Sequence, residues 1–143
     1  MSPWAVSYQR RIRYSDIDSQ GIVFNGNYLS YYDDAITDLF LKAGLKAADM
    51  HAAGYDVLTV HASVDFKATA ELFEDLEVKV RIAKIGNTSV TFAIESTVGD
   101  KVTTEATVIY VIVDADSFEP IKVPASLVAA MQAIHPEPIA TAG

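Results

Sequence analysis

From Leu76 to Val113 the chain repeats its apolar residues with a period of two, and two turn signals cut that run into three. Leu76, Val78, Val80 and Ile82 alternate with charged or small residues. Gly86-Asn87 interrupts them. Val90, Phe92 and Ile94 resume the alternation as far as Gly99-Asp100, and Val102 to Val113 follows. Alternation at 180° per residue, broken by Gly-containing turns, predicts hairpin-linked antiparallel strands with one buried face. The stretch Val108 to Val113 is apolar on both faces and so calls for cover on both sides. Upstream the period is different. Leu29, Tyr32, Ile36, Leu39, Phe40 and Ala43 fall at helical spacing, with Ser30, Asp33, Asp34, Thr37, Asp38 and Lys42 opposite. This predicts one long helix from about Gly26 to Ala43. Asn25 or Asn27 is expected as its N-cap and Gly44 as its C′ residue.

The remaining elements are shorter. Trp4 to Arg13 reads as a strand with one exposed side, Lys46 to Ala53 as a helical turn, and Val57 to Phe66 as a strand. Lys67 to Glu74 reads as a crossing loop or an irregular strand. Pro124 to Ile134 reads as a short helix with Pro124 near its first position. Residues 1–134 are therefore expected to form a single domain, and 135–143, with two prolines, a loose tail. One antiparallel sheet with its helices on one face is an α+β architecture. The second apolar face around Val108 to Val113 predicts a partner subunit, hence a homo-oligomer.

Composition narrows the function. The formal net charge is −8, which argues against a nucleic-acid partner and against an anionic membrane surface. No apolar run is long enough to span a bilayer, and the first residues lack the basic and apolar regions of a leader, so a cytoplasmic location is expected. There is no cysteine, which removes disulfides, thiolate metal sites and a Cys nucleophile. His51, His61 and His135 lack metal-site spacing, so no metal is expected. His61, in mid-strand, reads as a satisfied or surface residue, with a pocket-lining place as the alternative.

The chemistry concentrates between Tyr14 and Tyr28. Two carboxylates, Asp16 and Asp18, precede Gly21 and the start of the long helix. A carboxylate beside the free N–H groups of a helix N-terminus suits attack on a carbonyl. Asp18 is a candidate nucleophile or general base, beside the plainer reading of a loop Asp that bonds nearby N–H groups. Asp16 reads as structural, holding the loop by hydrogen bonds; a like charge nearby would raise one pKa of the two. Gly21 is expected to supply a backbone conformation, or a close approach that a Cβ would block, beside the plainer reading of an ordinary turn glycine. Tyr28, Tyr31 and Tyr32 form an aromatic patch in the first helical turn, and Tyr32 reads as a core or interface residue. Asp33, Asp34 and Asp38 read as a solvated helix face, with Asp33 or Asp34 as a minor alternative for the acid.

The pattern Asp16-x-Asp18-x-x-Gly21-x-Val23-x-x-x-x-Tyr28, opening a long helix after a first strand, resembles the 4-hydroxybenzoyl-CoA thioesterase-like branch of the hot-dog-fold acyl-CoA thioesterases. The likeness continues at Val64 to Ala68 and at Phe73 to Val78, and the order of elements fits from Ser7 to Ser126. The resemblance implies a five-stranded antiparallel sheet wrapped around one long helix. It implies a homodimer, or a dimer of dimers, whose sheets join and whose active sites lie at the dimer interface. The reaction it implies is acyl-CoA hydrolysis without a metal or redox cofactor, coenzyme A being part of the substrate. By position, the catalytic carboxylate is Asp18 and the oxyanion donor is the backbone N–H of Asn25. Gly21, Val23, Tyr28 and Lys67 are the substrate-binding candidates. The chain departs from the pattern at Asn25, where relatives often carry Tyr or His, and at Gly86-Asn87-Thr88, where some aromatic-acyl members carry phosphate-holding arginines. Lys67, Arg81, Lys84 and Lys101 are the cations available instead. The alternative from another class is a non-catalytic acyl-CoA or acyl-carrier-protein binding module on the same scaffold.

Overall fold

The computed structural model describes residues 3–141. Its elements run β1 (Val6–Arg11), a 3₁₀ turn (Tyr14–Asp16), α1 (Asn27–Lys42), α2 (Ala47–Ala52), β2 (Tyr55–Phe66), β3 (Asp75–Ile85), β4 (Ser89–Val98), β5 (Lys101–Asp114) and α3 (Ala125–Ile134). The five strands form one antiparallel sheet in the order β1-β3-β4-β5-β2. The alternation found in the sequence fixes which face is buried. Register pairs Val80 with Ile94, Ile94 with Ala106, and Phe92 with Val108, so one face of β3, β4 and β5 is a continuous apolar wall. The long helix lies against that wall. Phe40 stacks on Tyr110 and meets Phe92 edge-on, with ring centroids 6.3 and 6.2 Å apart. Burying a side chain such as Ile36 or Leu39 here contributes roughly 1.5–3 kcal/mol. This is the hot-dog arrangement that the resemblance implies.

The helix start differs from expectation. The N-cap is Gly26, with no side-chain cap bond, rather than Asn25 or Asn27. The buried stripe of α1 is Tyr28, Tyr31, Tyr32, Ala35, Ile36, Leu39 and Phe40. Leu29, expected on it, is 47% exposed. The stripe is rotated because the first turn packs Tyr31 down toward the loop before it. Gly44 ends the helix with φ +77°, in the left-handed region where a Cβ is costly.

The expected loose tail is a correction. Within the described part of 135–143, the chain folds back along β3 beyond the end of β1. His135 Nε2 accepts the Ile82 N–H at 3.1 Å, and the Ile85 N–H donates to Ala140 O at 2.8 Å. Ile139 is buried and Thr141 bridges Ile85 in parallel. The β3 amides past the end of β1 need acceptors, and this segment supplies them. Residues 142 and 143 lie outside the described residues. Among the described residues no helix is long and apolar enough to cross a membrane.

Candidate active site

The loop between β1 and α1 is built from a small hairpin. Ile17 bridges Val23, the Asp18 N–H donates to Ile22 O, and the Gly21 N–H donates to Asp18 O. Gly21 sits at φ +78° with open space around it, so glycine is needed there for its backbone angle rather than for room. Asp18 is half-buried at the head of this turn. Its Oδ1 accepts the Gln20 N–H at 2.8 Å, and Oδ2 has no partner among the described residues. A second contact fastens the hairpin sideways: Val23 N–H donates to Ala70 O, and Ile22 bridges Glu71.

Asp16 is the anchor of the whole corner. It is 3% exposed. Its Oδ1 receives Arg10 Nη2 at 2.7 Å, Arg10 Nε at 3.0 Å and the Tyr31 hydroxyl at 2.5 Å, while Oδ2 receives the Arg13 N–H at 2.8 Å. The Arg10 guanidinium also lies 4.8 Å from the centre of the Tyr31 ring. Burial alone would push this carboxyl up. The hydrogen bonds from Tyr31, Arg10 and Arg13 outweigh it and hold the group below its ordinary value. The neighbouring Asp18 therefore does not raise it, contrary to what two carboxylates two residues apart suggest. The 3₁₀ turn at Tyr14–Asp16 breaks the alternation, so that Asp16 points into the protein and Asp18 sits in the surface turn.

The Asp16 main chain is equally committed. Its carbonyl oxygen accepts the Phe24 N–H at 3.0 Å and the Asn27 Nδ2 at 2.8 Å. In the following residues, Asn27 N–H donates to Phe24 O and Tyr28 N–H to Asn25 O. Between them, the N–H groups of Asn25 and Gly26 have no acceptor among the described residues. These two adjacent unpaired donors lie at the positive end of a 16-residue helix, where negative charge is favoured.

A cleft of about 210 Å³ opens beside them, lined by Ile22, Val23, Asn25, Tyr28, Phe66 and Lys67, and closed by Ala68, Thr69 and Ala70. Of the residues selected from the sequence, it gathers Val23, Asn25, Tyr28 and Lys67. Asp18 and Gly21 are not in its lining; they occupy the adjoining turn. Tyr28 is held between Phe66, Tyr31 and Tyr32, with ring centroids 5.7 to 6.1 Å away. Its hydroxyl is buried and makes no hydrogen bond among the described residues. Burial pushes its pKa up, with the nearby Thr103 hydroxyl pulling the other way. Thr103 Oγ1 itself pairs with Ser96, at 2.6 Å to its hydroxyl and 3.1 Å to its carbonyl oxygen. Tyr32 is a core residue as expected, bonded to Thr104 at 2.6 Å, and burial raises its pKa to about 12.

Other candidates lie elsewhere. Arg81 lines a separate depression on the sheet face away from α1, among Asp65, Glu95 and Glu105. Asp33 is exposed but accepts the Tyr110 hydroxyl at 3.3 Å. His61 is exposed on β2. The sequence reading missed Phe66 and the Ala68–Ala70 wall, although the crossing loop was legible. It also missed Arg10 and Tyr31, whose partnership with Asp16 spans three elements.

A family model described as the thioesterase-like superfamily matches residues 12–131. Among characterised sequences, the acyl-CoA thioester hydrolase YbgC of Escherichia coli is 27% identical over 120 residues, covering 83% of this chain and 90% of that protein. A 1,4-dihydroxy-2-naphthoyl-CoA hydrolase from Nostoc punctiforme is 27% identical over 114 residues, covering 78% of this chain and 76% of its own. A solved 1,4-dihydroxy-2-naphthoyl-CoA thioesterase from Synechocystis superposes with a TM-score of 0.79 at 20% identity, covering 87% of this chain and 93% of that one. At that identity the likeness establishes the fold.

Proposed function

This chain belongs to the thioesterase-like superfamily, and on that premise we propose that it hydrolyses an acyl-CoA thioester to the free acid and CoA. The observation that carries the proposal is the unpaired N–H of Asn25, a residue that lines the cleft at the start of α1, next to the equally unpaired Gly26 N–H. In the proposed reaction the thioester carbonyl oxygen sits on the Asn25 N–H, where the helix dipole favours the negative charge that develops. Asp18 supplies the attack. Its Oδ2 either adds to the carbonyl carbon, giving an anhydride that water then opens, or takes a proton from a water that adds instead. In both cases the carbon–sulfur bond breaks, and the thiolate of CoA leaves and is protonated. Support for Asp18 comes from its turn: Oδ1 is held by the Gln20 N–H while Oδ2 has no partner.

Val23, Tyr28 and Phe66 are assigned to the acyl group, Gly21 to the shape of the turn beneath it, and Lys67 to the anionic coenzyme at the mouth. A cleft of about 210 Å³ is smaller than the roughly 300–1,000 Å³ typical of small-molecule sites, which supports completion by a second copy. The edge strand β2 is the contact we assign to that homodimer, alone or within a dimer of dimers. It is 12 residues long, its outer edge is unpaired, and Val60 is 60% exposed in its middle.

The test is thiol release by wild type and Asp18→Asn across aromatic, short and long acyl-CoAs. Turnover is expected for wild type and near abolition for the mutant. Retention of more than about a tenth of kcat, a loss under ~1.4 kcal/mol, refutes the assignment of Asp18. One observation favours a second reading, a non-catalytic acyl-CoA or acyl-carrier-protein binding module: the Asp18 carboxylate already has a structural bond in its own turn. Tight binding of an acyl-CoA without turnover would establish that module.

A further inference from the structure

We propose that Asn27 is a positioning residue for the oxyanion donors, its carboxamide holding the Asn25 and Gly26 N–H groups open to the cleft. The inference rests on the hydrolysis proposed above and assigns a role that the family pattern does not need Asn27 for. Among the N–H groups of residues 23 to 28, those of Val23, Phe24, Asn27 and Tyr28 have acceptors, at Ala70, Asp16, Phe24 and Asn25. Only the middle two, Asn25 and Gly26, have none among the described residues. The same oxygen, Asp16 O, takes the Phe24 N–H on one side of that pair and the Asn27 Nδ2 on the other. The turn is thus pinned at both ends to one atom. That atom cannot drift, because the Asp16 side chain is bonded to β1 through Arg10, to the 3₁₀ turn through the Arg13 N–H and to α1 through Tyr31.

The choice of residues follows from this. A Ser, Thr, Asp or Asn at the N-cap would direct its oxygen to the N–H of Tyr28 or Leu29 and cap the first turn. Here the N-cap is Gly26, which has no side chain to do so. The Asn comes one position later and uses its nitrogen, pointing out of the helix toward Asp16 O. Aspartate at 27 has the same shape but no proton to donate, and would set a carboxylate oxygen against a carbonyl oxygen.

The experiment is steady-state kinetics of full-length wild type, Asn27→Asp and Asn27→Ser with the best acyl-CoA from the panel, well below each variant's Tm. Serine is too short to reach the carbonyl but tolerates a helix start. The expected result is a kcat lower by about 10–100-fold with KM within about three-fold, since a misplacement near 1 Å costs on the order of 10²-fold. Amide hydrogen exchange at Asn25 and Gly26 is expected to change in the same variants. A kcat within three-fold of wild type in either folded variant overturns the inference and leaves hydrolysis standing, as does a fall in Tm alone. If neither variant folds, Asn27 is scaffold and the inference fails. A wild type without turnover on any acyl-CoA sinks the hydrolysis reading, and this inference with it.

Discussion

Asp16→Asn isolates the anchor of the loop, because it removes one charge and alters shape hardly at all. The arithmetic follows from its four hydrogen bonds. An asparagine turned to keep its oxygen toward Arg10 and Tyr31 presents its NH₂ to the Arg13 N–H, donor against donor. That leaves a part-buried N–H unsatisfied, at a cost of about 1–3 kcal/mol. The bonds from Arg10 and Tyr31 lose their charge assistance, which costs about 1 kcal/mol more in total. This second figure is kept low because the Arg10 side chain is 31% exposed and water recovers part of its solvation. The sum is about 3 kcal/mol, or a fall in Tm of roughly 6–12 °C for a chain of this size. The pH dependence has a definite sign. The Asp16 carboxyl titrates below its unfolded value of 3.8. Its contribution is therefore complete above about pH 4 and fades as pH drops through the lower folded value, where both states become protonated. Asparagine has no such titration. Urea unfolding at about pH 7 and about pH 3 should show the gap between wild type and mutant wide at the first and narrowed at the second. A mutant within 0.5 kcal/mol of wild type at neutral pH, a surface-like effect, would refute the anchoring role. So would a gap of equal size at both pH values.

Two further outcomes are expected. Tyr28→Phe removes a buried hydroxyl that has no partner among the described residues, so by thermal melting it should be neutral or more stable by up to about 1 kcal/mol; a loss of more than that would mean the hydroxyl has a bonding role. Val60→Lys puts a charge in the middle of the β2 edge and should shift the sedimenting species from two chains to one, while an unaltered dimer would move the contact away from β2.

The sheet was readable because each of its strands carries its own evidence. Leu76 to Ile82 and Val90 to Ile94 alternate within a few residues, and Gly86-Asn87 and Gly99-Asp100 mark the reversals. The long helix was readable for the same reason, to within a residue at each end. What was hidden depends on groups far apart in sequence. Asp16 was legible as the residue that holds the loop, but its partners Arg10 and Tyr31 were not, and no local pattern names either. The docking of His135 to Thr141 depends on β3 outrunning β1 by several residues, a mismatch in strand length that periodicity does not record. Within the cleft, Val23, Asn25, Tyr28 and Lys67 came from a motif and a resemblance. Phe66 and Ala70 joined them only once the crossing loop was seen to pass over the small hairpin.

The way the chain closes along β3 also bears on its behaviour at high concentration. A sheet with two long free borders can add copies at both and grow without limit. Here one border is divided between the six residues of β1, which carry Arg10 and Arg11, and the returning segment that ends in the Thr141 bridge. Neither piece is a long, flat, apolar template. Growth is left to β2 alone, and a contact between two β2 strands is used up when it forms. With the proposed β2 contact, such a molecule terminates at a finite particle where a chain with both borders open would form a fibre.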